Sequence, residues 1–282
     1  MLHLCRLTET RRAKSSDSSD RRVNLDASKL MHGAEEGADM PGTVQPVRVS
    51  IRSSPDRAEV SLPWELATTQ VLASAAPWRT FRWHEGQRHY SGTYWSATEH
   101  GHVIYESRLE LARLLFADFD TSVKRIIAQP FLLSAQVEGA VRRHVPDFLL
   151  LSDTGPTIVD VKPRLQLSKS KVSFTLAWTR DVVERHSWRY EVWSEPPEAE
   201  LGNLRFLAGF RRCWLLDRNL LDELRAADFQ GMSLGEACKS LPDWSEPLVR
   251  SAIFHLLWTQ HFTLDLTRPL SPSHVLTSGS RS

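Results

Sequence analysis

Apolar positions in the middle of the chain repeat with two different periods. Over 103–119 the spacing is helical: Tyr105, Leu109, Ala112 and Phe116 fall on one line, and Ile104, Leu111, Leu115 and Phe119 on another. This predicts a helix, closed by the polar stretch 118–121. Over 145–163 the period shortens to two. Val145-Pro146-Asp147-Phe148-Leu149-Leu150-Leu151 predicts a strand, 152–156 is turn-rich, and Thr157-Ile158-Val159-Asp160-Val161-Lys162-Pro163 predicts a second strand. Further strands are expected at 89–96, 129–133 and 188–193, with 123–127 apolar-rich, and a helix at 172–185 with Phe174, Trp178, Val182 and Val183 on its apolar side. Beyond Pro196-Pro197, helices are expected at 201–210, 220–225, 233–238 and 246–258, and 261–270 suits a small wing. Ser233 followed by Glu236 has capping-box spacing.

The order strand, helix, several strands, helix, strand predicts an α/β fold: a mixed sheet flanked by helices. Residues 1–60 read as a disordered tail, because 11–22 is low in complexity and 33–46 is rich in Gly, Glu and Pro. Residues 61–198 form the α/β domain, and 199–282 a small α-helical, winged-helix-like domain. The aromatic residues around Trp78, Trp83 and Trp95 are expected in the core rather than as a base-stacking platform.

Composition narrows the classes only slightly. A net charge of +1 announces no polyanionic partner, so any nucleic-acid surface must be a local patch. Arg142, Arg143, Arg164, Lys169 and Lys171 are candidate phosphate contacts, each individually no better than a solvated surface charge. Cys5, Cys213 and Cys238 are far apart and odd in number, which offers neither zinc spacing nor a disulfide framework and suits a cytoplasmic location. No apolar run approaches the ~20 residues of a membrane span, so no membrane partner is expected.

The candidate chemistry lies on the paired strands. Strand periodicity puts Ile158, Asp160 and Lys162 on one face, and charged groups on strands built for burial are normally paired or bound to a metal. Two carboxylates brought together repel, and a divalent cation removes the conflict. Mg²⁺ takes oxygen ligands, usually one or two carboxylates with waters and substrate phosphate. A lysine beside it can orient the attacking water or stabilise a phosphorane. A cross-strand ion pair of Asp147 with Lys162 also explains the pattern. In the preceding helix, Glu106 and Glu110 lie four apart and would share a face, and Arg113 could give Glu110 an ordinary ion pair.

Pro146-Asp147 followed by Asp160-Val161-Lys162 resembles the PD-(D/E)xK nuclease signature, and of 34 acidic residues only Asp160 has a lysine two positions on. With Tyr105-Glu106-Ser107-Arg108-Leu109-Glu110-Leu111-Ala112, Phe119-Asp120-Thr121-Ser122-Val123 and Gln129-Pro130 in the same order, residues 80–195 resemble TnsA, the endonuclease subunit of heteromeric transposases. The resemblance implies a restriction-endonuclease-like core followed by a winged helix. It implies Glu110, rather than Glu106, as the helix acid, Asp147 as a metal ligand and Lys162 as the catalytic lysine. At Asp160 the family tolerates an amide, and an acid there is the more general nuclease form. Glu110, Asp147 and Asp160 would then hold Mg²⁺, with Mn²⁺ able to substitute. The implied partners are double-stranded DNA at transposon ends, a transposase subunit and an AAA+ ATPase regulator. A stand-alone restriction- or repair-type nuclease and a non-catalytic winged-helix DNA-binding regulator are the alternatives. In the expected third helix of the C-terminal segment, few residues suit base reading (Arg250, Ser251, His255 and Gln260), which favours protein docking.

Overall fold

The computed structural model describes residues 47–54, 58–79 and 91–279. The expected tail over 1–46 and the aromatic-basic stretch 80–90 lie outside the described residues.

The elements in chain order are β1 (Arg48–Ile51), β2 (Val60–Pro63), α1 (Thr69–Ala73), β3 (Gly92–Ser96), β4 (Gly101–Tyr105), α2 (Arg108–Phe119), β5 (Val123–Ala128), β6 (Leu132–Val137), β7 (Ala140–His144), β8 (Phe148–Ser152), β9 (Gly155–Val161), α3 (Arg164–Leu167), α4 (Ser170–Arg185) and β10 (Arg189–Trp193). They are followed by α5 (Glu198–Leu207), α6 (Arg218–Ala226), α7 (Leu234–Ala237), α8 (Glu246–Trp258), β11 (Phe262–Thr263) and β12 (Thr277–Ser278).

A mixed sheet of order β10-β9-β8-β5 carries the two strands with the acid and lysine pattern. β9 and β8 form an antiparallel hairpin, and β10 returns parallel to β9 after the α3–α4 crossover. Apolar residues cover both faces. Phe148, Leu150, Val159 and Val161 face a cluster that includes Leu114 and Leu115 of α2. Leu149 and Ile158 face another that includes Trp178, Val182 and Val183 of α4. Double-sided burial explains the unbroken Phe148-Leu149-Leu150-Leu151 run, which alternation alone would not produce. A second sheet, of order β2-β1-β6-β7, is antiparallel throughout. Its β6–β7 hairpin turns at Glu138 and Gly139, both at positive φ (50° and 72°), as a two-residue hairpin loop requires.

Two expectations are corrected. The tail predicted over 1–60 contains β1, which pairs with both β2 and β6. Its four residues bury Val49 completely, a segment too short for periodicity to separate from coil. The helix predicted from residue 103 starts at Arg108, and 103–105 belongs to β4, paired with β3. Val103 and Tyr105 are both buried on one strand face and also fit helical spacing. Ser107 decides between the two: its extended backbone and its side chain, which accepts from the Glu110 N–H, begin the helix there.

Asp118 fixes the far end of α2. Its buried carboxylate accepts from the Tyr94 hydroxyl (2.7 Å), the Ser96 hydroxyl (2.6 Å) and the N–H groups of Ala97 (3.0 Å) and Thr98 (2.8 Å). The β3–β4 hairpin is thereby stapled to the helix. Residues 46–282 form one compact unit, and a single apolar cluster runs from Tyr94 and Leu114 through Leu207 and Leu221 to Phe262. Phe119 packs edge-on against Trp258 at 5.4 Å, joining α2 to α8. Among the described residues no helix is long and apolar enough to cross a membrane.

Candidate active site

Ser107, at the start of α2, positions Glu110. The Ser107 hydroxyl donates to Glu110 Oε1 (2.9 Å) while accepting from the Glu110 N–H (3.1 Å), and the Glu106 N–H donates to Oε2 (2.7 Å). The carboxylate is folded back over the helix start, in the manner of a capping box. Glu106 precedes the helix and pairs with Arg79 at 2.9 Å. Arg113, the ordinary partner considered for Glu110, instead pairs with Glu191 at 2.8 Å. The local structure therefore separates the two glutamates: one is neutralised by Arg79, and the other is buried without a cation of its own among the described residues.

Asp147 sits where β8 begins. Its N–H donates to the Val159 carbonyl (3.1 Å), and its carbonyl accepts from the Gln129 N–H (2.9 Å). Oδ2 accepts from the Val161 N–H (2.6 Å) and from Lys162 Nζ (3.2 Å), and Nζ also reaches the Val161 carbonyl (3.0 Å). The ion pair that would by itself account for the strand pattern is thus present. It is not isolated, because the Asp147 charge acts on Glu110 and the Glu110 charge on Lys162. Burial, then Asp147, pushes the Glu110 carboxyl up to about 7. Burial, with help from Asp160, raises Asp147 against the pull of Lys162. Burial draws Lys162 down, but Asp147, Asp160 and Glu110 outweigh it and hold the ammonium above its ordinary range.

Asp160 has a different environment. It is fully buried, and both oxygens lie 2.8 Å from His144 Nε2. The Tyr190 hydroxyl donates to Oδ2 in a close contact, and burial together with Asp160 holds that phenol protonated far above its usual range. The structure therefore brings Glu110, Asp147 and Lys162 together and places Asp160 beside them with both oxygens engaged.

The donor set suits a hard divalent cation. Glu110, Asp147 and the Val161 carbonyl offer oxygen donors, which such a cation prefers, and the carboxyls outnumber the positive charges beside them. Lys162 Nζ already bridges Asp147 Oδ2 and the Val161 carbonyl, two oxygens a cation would seek. Among the described residues no three His, Cys, Asp or Glu side chains converge as a ready-made ligand cluster, in keeping with the engagement of Asp160 by His144 and Tyr190. A cavity of about 1080 Å³ lies elsewhere, between α5, α7, α8 and the turn Pro269 to Pro272, and none of the candidate residues lines it.

Sequence reasoning did not give the contacts of three supporting residues, His144, Tyr190 and Gln129. His144 read as one of three basic residues and Tyr190 as an ordinary strand aromatic. Pairing Tyr190 with Ile158 puts it on the face of β9 that carries Asp160. Buried Gln129, at φ 46°, accepts from the Trp78 N–H through its carbonyl (3.0 Å) and from the Arg79 N–H through Oε1 (2.9 Å). It thereby holds Arg79 where Arg79 can neutralise Glu106. No local signal in the sequence marks these long-range contacts. No protein-family model matches the chain, and no curated protein matches it.

Proposed function

We propose that the chain is a Mg²⁺-dependent DNA endonuclease of the PD-(D/E)xK type, hydrolysing phosphodiester bonds. One observation carries the reading: a helix acid, Glu110, raised by its burial and then by the charge of a strand acid, Asp147, stands beside that acid, which is itself bridged to Lys162. An ion pair alone needs no further buried carboxyl beside it, held by Ser107 and the Glu106 N–H but without a cation of its own. Glu110, Asp147 and the Val161 carbonyl would hold the cation, which when bound would neutralise the carboxyls and polarise the scissile phosphate. Lys162 is placed to orient the attacking water and to offset charge on the phosphorane. Asp160 takes the part of an anchor, tying β9 to His144 and Tyr190 and so fixing the direction in which Val161 and Lys162 leave the strand.

The resemblance to TnsA extends the proposal to cleavage of one strand at transposon ends, beside a transposase and an AAA+ ATPase regulator. The mixed sheet between α2 and α4 is compatible with a restriction-endonuclease-like core. We read α6, α7 and α8 with the β11–β12 pair as a winged helix. Its third helix favours protein docking over base reading. His255 is buried and bonded to the Phe210 carbonyl, Gln260 donates to the Phe119 carbonyl, Arg250 pairs with Glu246, and the Ser251 hydroxyl donates to the Pro247 carbonyl.

The test is plasmid nicking in Mg²⁺ or Mn²⁺, with and without an integrase-type transposase and an ATPase encoded by neighbouring genes. Nicking that needs the partners supports the transposon reading, and nicking by the chain alone favours a stand-alone nuclease. Undiminished nicking by Lys162→Ala would falsify the mechanism.

A further inference from the structure

We propose that the exposed surface shared by β7 and the α3–α4 segment is a track for the backbone of double-stranded DNA leading into the Glu110–Asp147–Lys162 site. The proposal rests on the endonuclease reading and deepens it. Residues 139–146 run into Asp147, and residues 163–180 run out of Lys162. Neither stretch contains an Asp or Glu, in a chain whose 35 Lys and Arg are nearly balanced by 34 acids. Between them they carry Arg142, Arg143, His144, Arg164, Lys169, Lys171 and Arg180.

The fold brings the two stretches together. The Arg142 guanidinium lies over the Phe174 ring at 5.2 Å, and the His144 ring packs edge-on to Trp178 at 6.3 Å. Arg142 and His144 of β7 and the cations at the start of α4 therefore share one surface, while Arg143, between them on the strand, projects from the opposite face. Two residues are occupied: Arg164 contacts Glu195 at 4.0 Å, and Arg180 pairs with Glu184 at 3.2 Å. Arg142, Lys169 and Lys171 are exposed and, among the described residues, have no carboxylate partner. A cluster of unpaired like charges beside the site is self-repelling, and a polyanion relieves it.

The surface is built for phosphates rather than bases. Single-strand binders offer aromatic faces for stacking. Here Phe174 is covered by Arg142, Trp178 is buried, and the most exposed described aromatics, Phe206 and Trp214, belong to the C-terminal segment. A charged surface without open aromatic faces fits the regular backbone of a duplex.

Fluorescence anisotropy of a labelled DNA duplex tests the proposal, using the full chain in EDTA so that nothing is cut. Arg142→Glu/Lys171→Glu and Arg142→Glu/Lys169→Glu should each weaken binding at least tenfold. Each pair should also flatten the plot of log affinity against log salt by about 2, at roughly 0.9 per phosphate contact. The matching Gln pairs should show the same trend with unchanged melting temperatures, and Arg218→Glu/Lys239→Glu should bind within twofold of wild type. Unchanged affinity in both track pairs overturns the proposal, as does a single strand or an RNA duplex that binds as tightly as duplex DNA. Loss that appears only in unfolded variants also overturns it. Nicking separates the two readings: a chain that nicks but ignores the track substitutions keeps the endonuclease and loses the track, and one that binds through the track but never nicks does the reverse.

Discussion

Ionising Glu110 places a second negative charge beside Asp147, in a position where burial has already pushed the Glu110 carboxyl up to about 7 from an ordinary 4.5. Between those two values the folded chain keeps a proton that the unfolded chain releases. The contribution of Glu110 to stability without metal is therefore fully present below the lower value and falls as pH rises through the window, by about 3 kcal/mol at most. Urea unfolding in EDTA across the window should show this fall. Glu110→Gln should flatten it, and Mg²⁺ should offset it by favouring the ionised form. The same substitution should lower nicking by about a hundredfold or more if the cation is lost. Glu106→Gln should cost far less, since it breaks only the partly exposed pair with Arg79, which is worth about 1 kcal/mol or less. Asp160→Ala leaves His144 Nε2 and the Tyr190 hydroxyl without their acceptor, so it should destabilise the fold by about 2–4 kcal/mol. Chemical denaturation of the metal-free protein checks this, and Asp160→Asn should recover part of the loss. The acid and acid-x-lysine patterns that nominate Asp147, Asp160 and Lys162 are local, and the choice of Glu110 over Glu106 rests on the resemblance. The environments of these residues were not legible in the sequence, because the partners that distinguish Glu110, Asp147 and Asp160 come from Ser107, Lys162, His144 and Tyr190 on different elements.

α2 is rich in strong helix formers and is fixed at both ends by side chains. Ser107 fixes the start and with it Glu110, while Asp118 near the end collects four donors from the β3–β4 hairpin. Asp118→Ala would leave two hydroxyls and two N–H groups short of a partner near the core. The expected loss is roughly 3 kcal/mol, since each buried unsatisfied group costs about 1–3. Because α2 carries Glu110, nicking should fall with it even though Asp118 touches no site residue. Thermal melting and nicking measured on the same variant check this, and a stable variant with unchanged nicking would sink the idea. At this scale the sequence was readable where elements are long and keep one period. The expected helix over 246–258 is α8 residue for residue, and Ser233 with Glu236 forms the capping box at the start of α7. It was misread where periods overlap, as at Val103 and Tyr105, or where an element is too short to show one, as in β1. The pairing of β1 with β6 is a contact between segments some eighty residues apart, and no local pattern encodes it.

For the whole molecule, the core and the charge divide the chain differently. The sequence suggests a joint near Pro196-Pro197, yet the apolar cluster under α2 continues into α5, α6 and α8. Specific contacts cross the joint as well. Phe119 meets Trp258, Gln260 donates to the Phe119 carbonyl at 2.8 Å, and Arg211 donates to the Trp95 carbonyl at 2.8 Å while lying over the Tyr94 ring at 4.8 Å. Cutting the chain after residue 198 would uncover Phe119 of α2 and leave the β3–β4 hairpin without Arg211 and Trp214 over Trp95. Buried apolar area stabilises at about 25 cal/mol per Å², and small domains are only marginally stable, by about 5–15 kcal/mol. Losing the cover over α2 would then remove much of the margin. The expectation is that 47–198 alone is loosened, with weak near-ultraviolet circular dichroism, dye binding and no nicking, while 47–282 unfolds in one transition by both fluorescence and far-ultraviolet dichroism. If 47–198 instead melts cooperatively, the C-terminal helices are a separate domain resting on an α/β core that holds itself together. Glu110 would then owe its position to Ser107 and Asp118 alone.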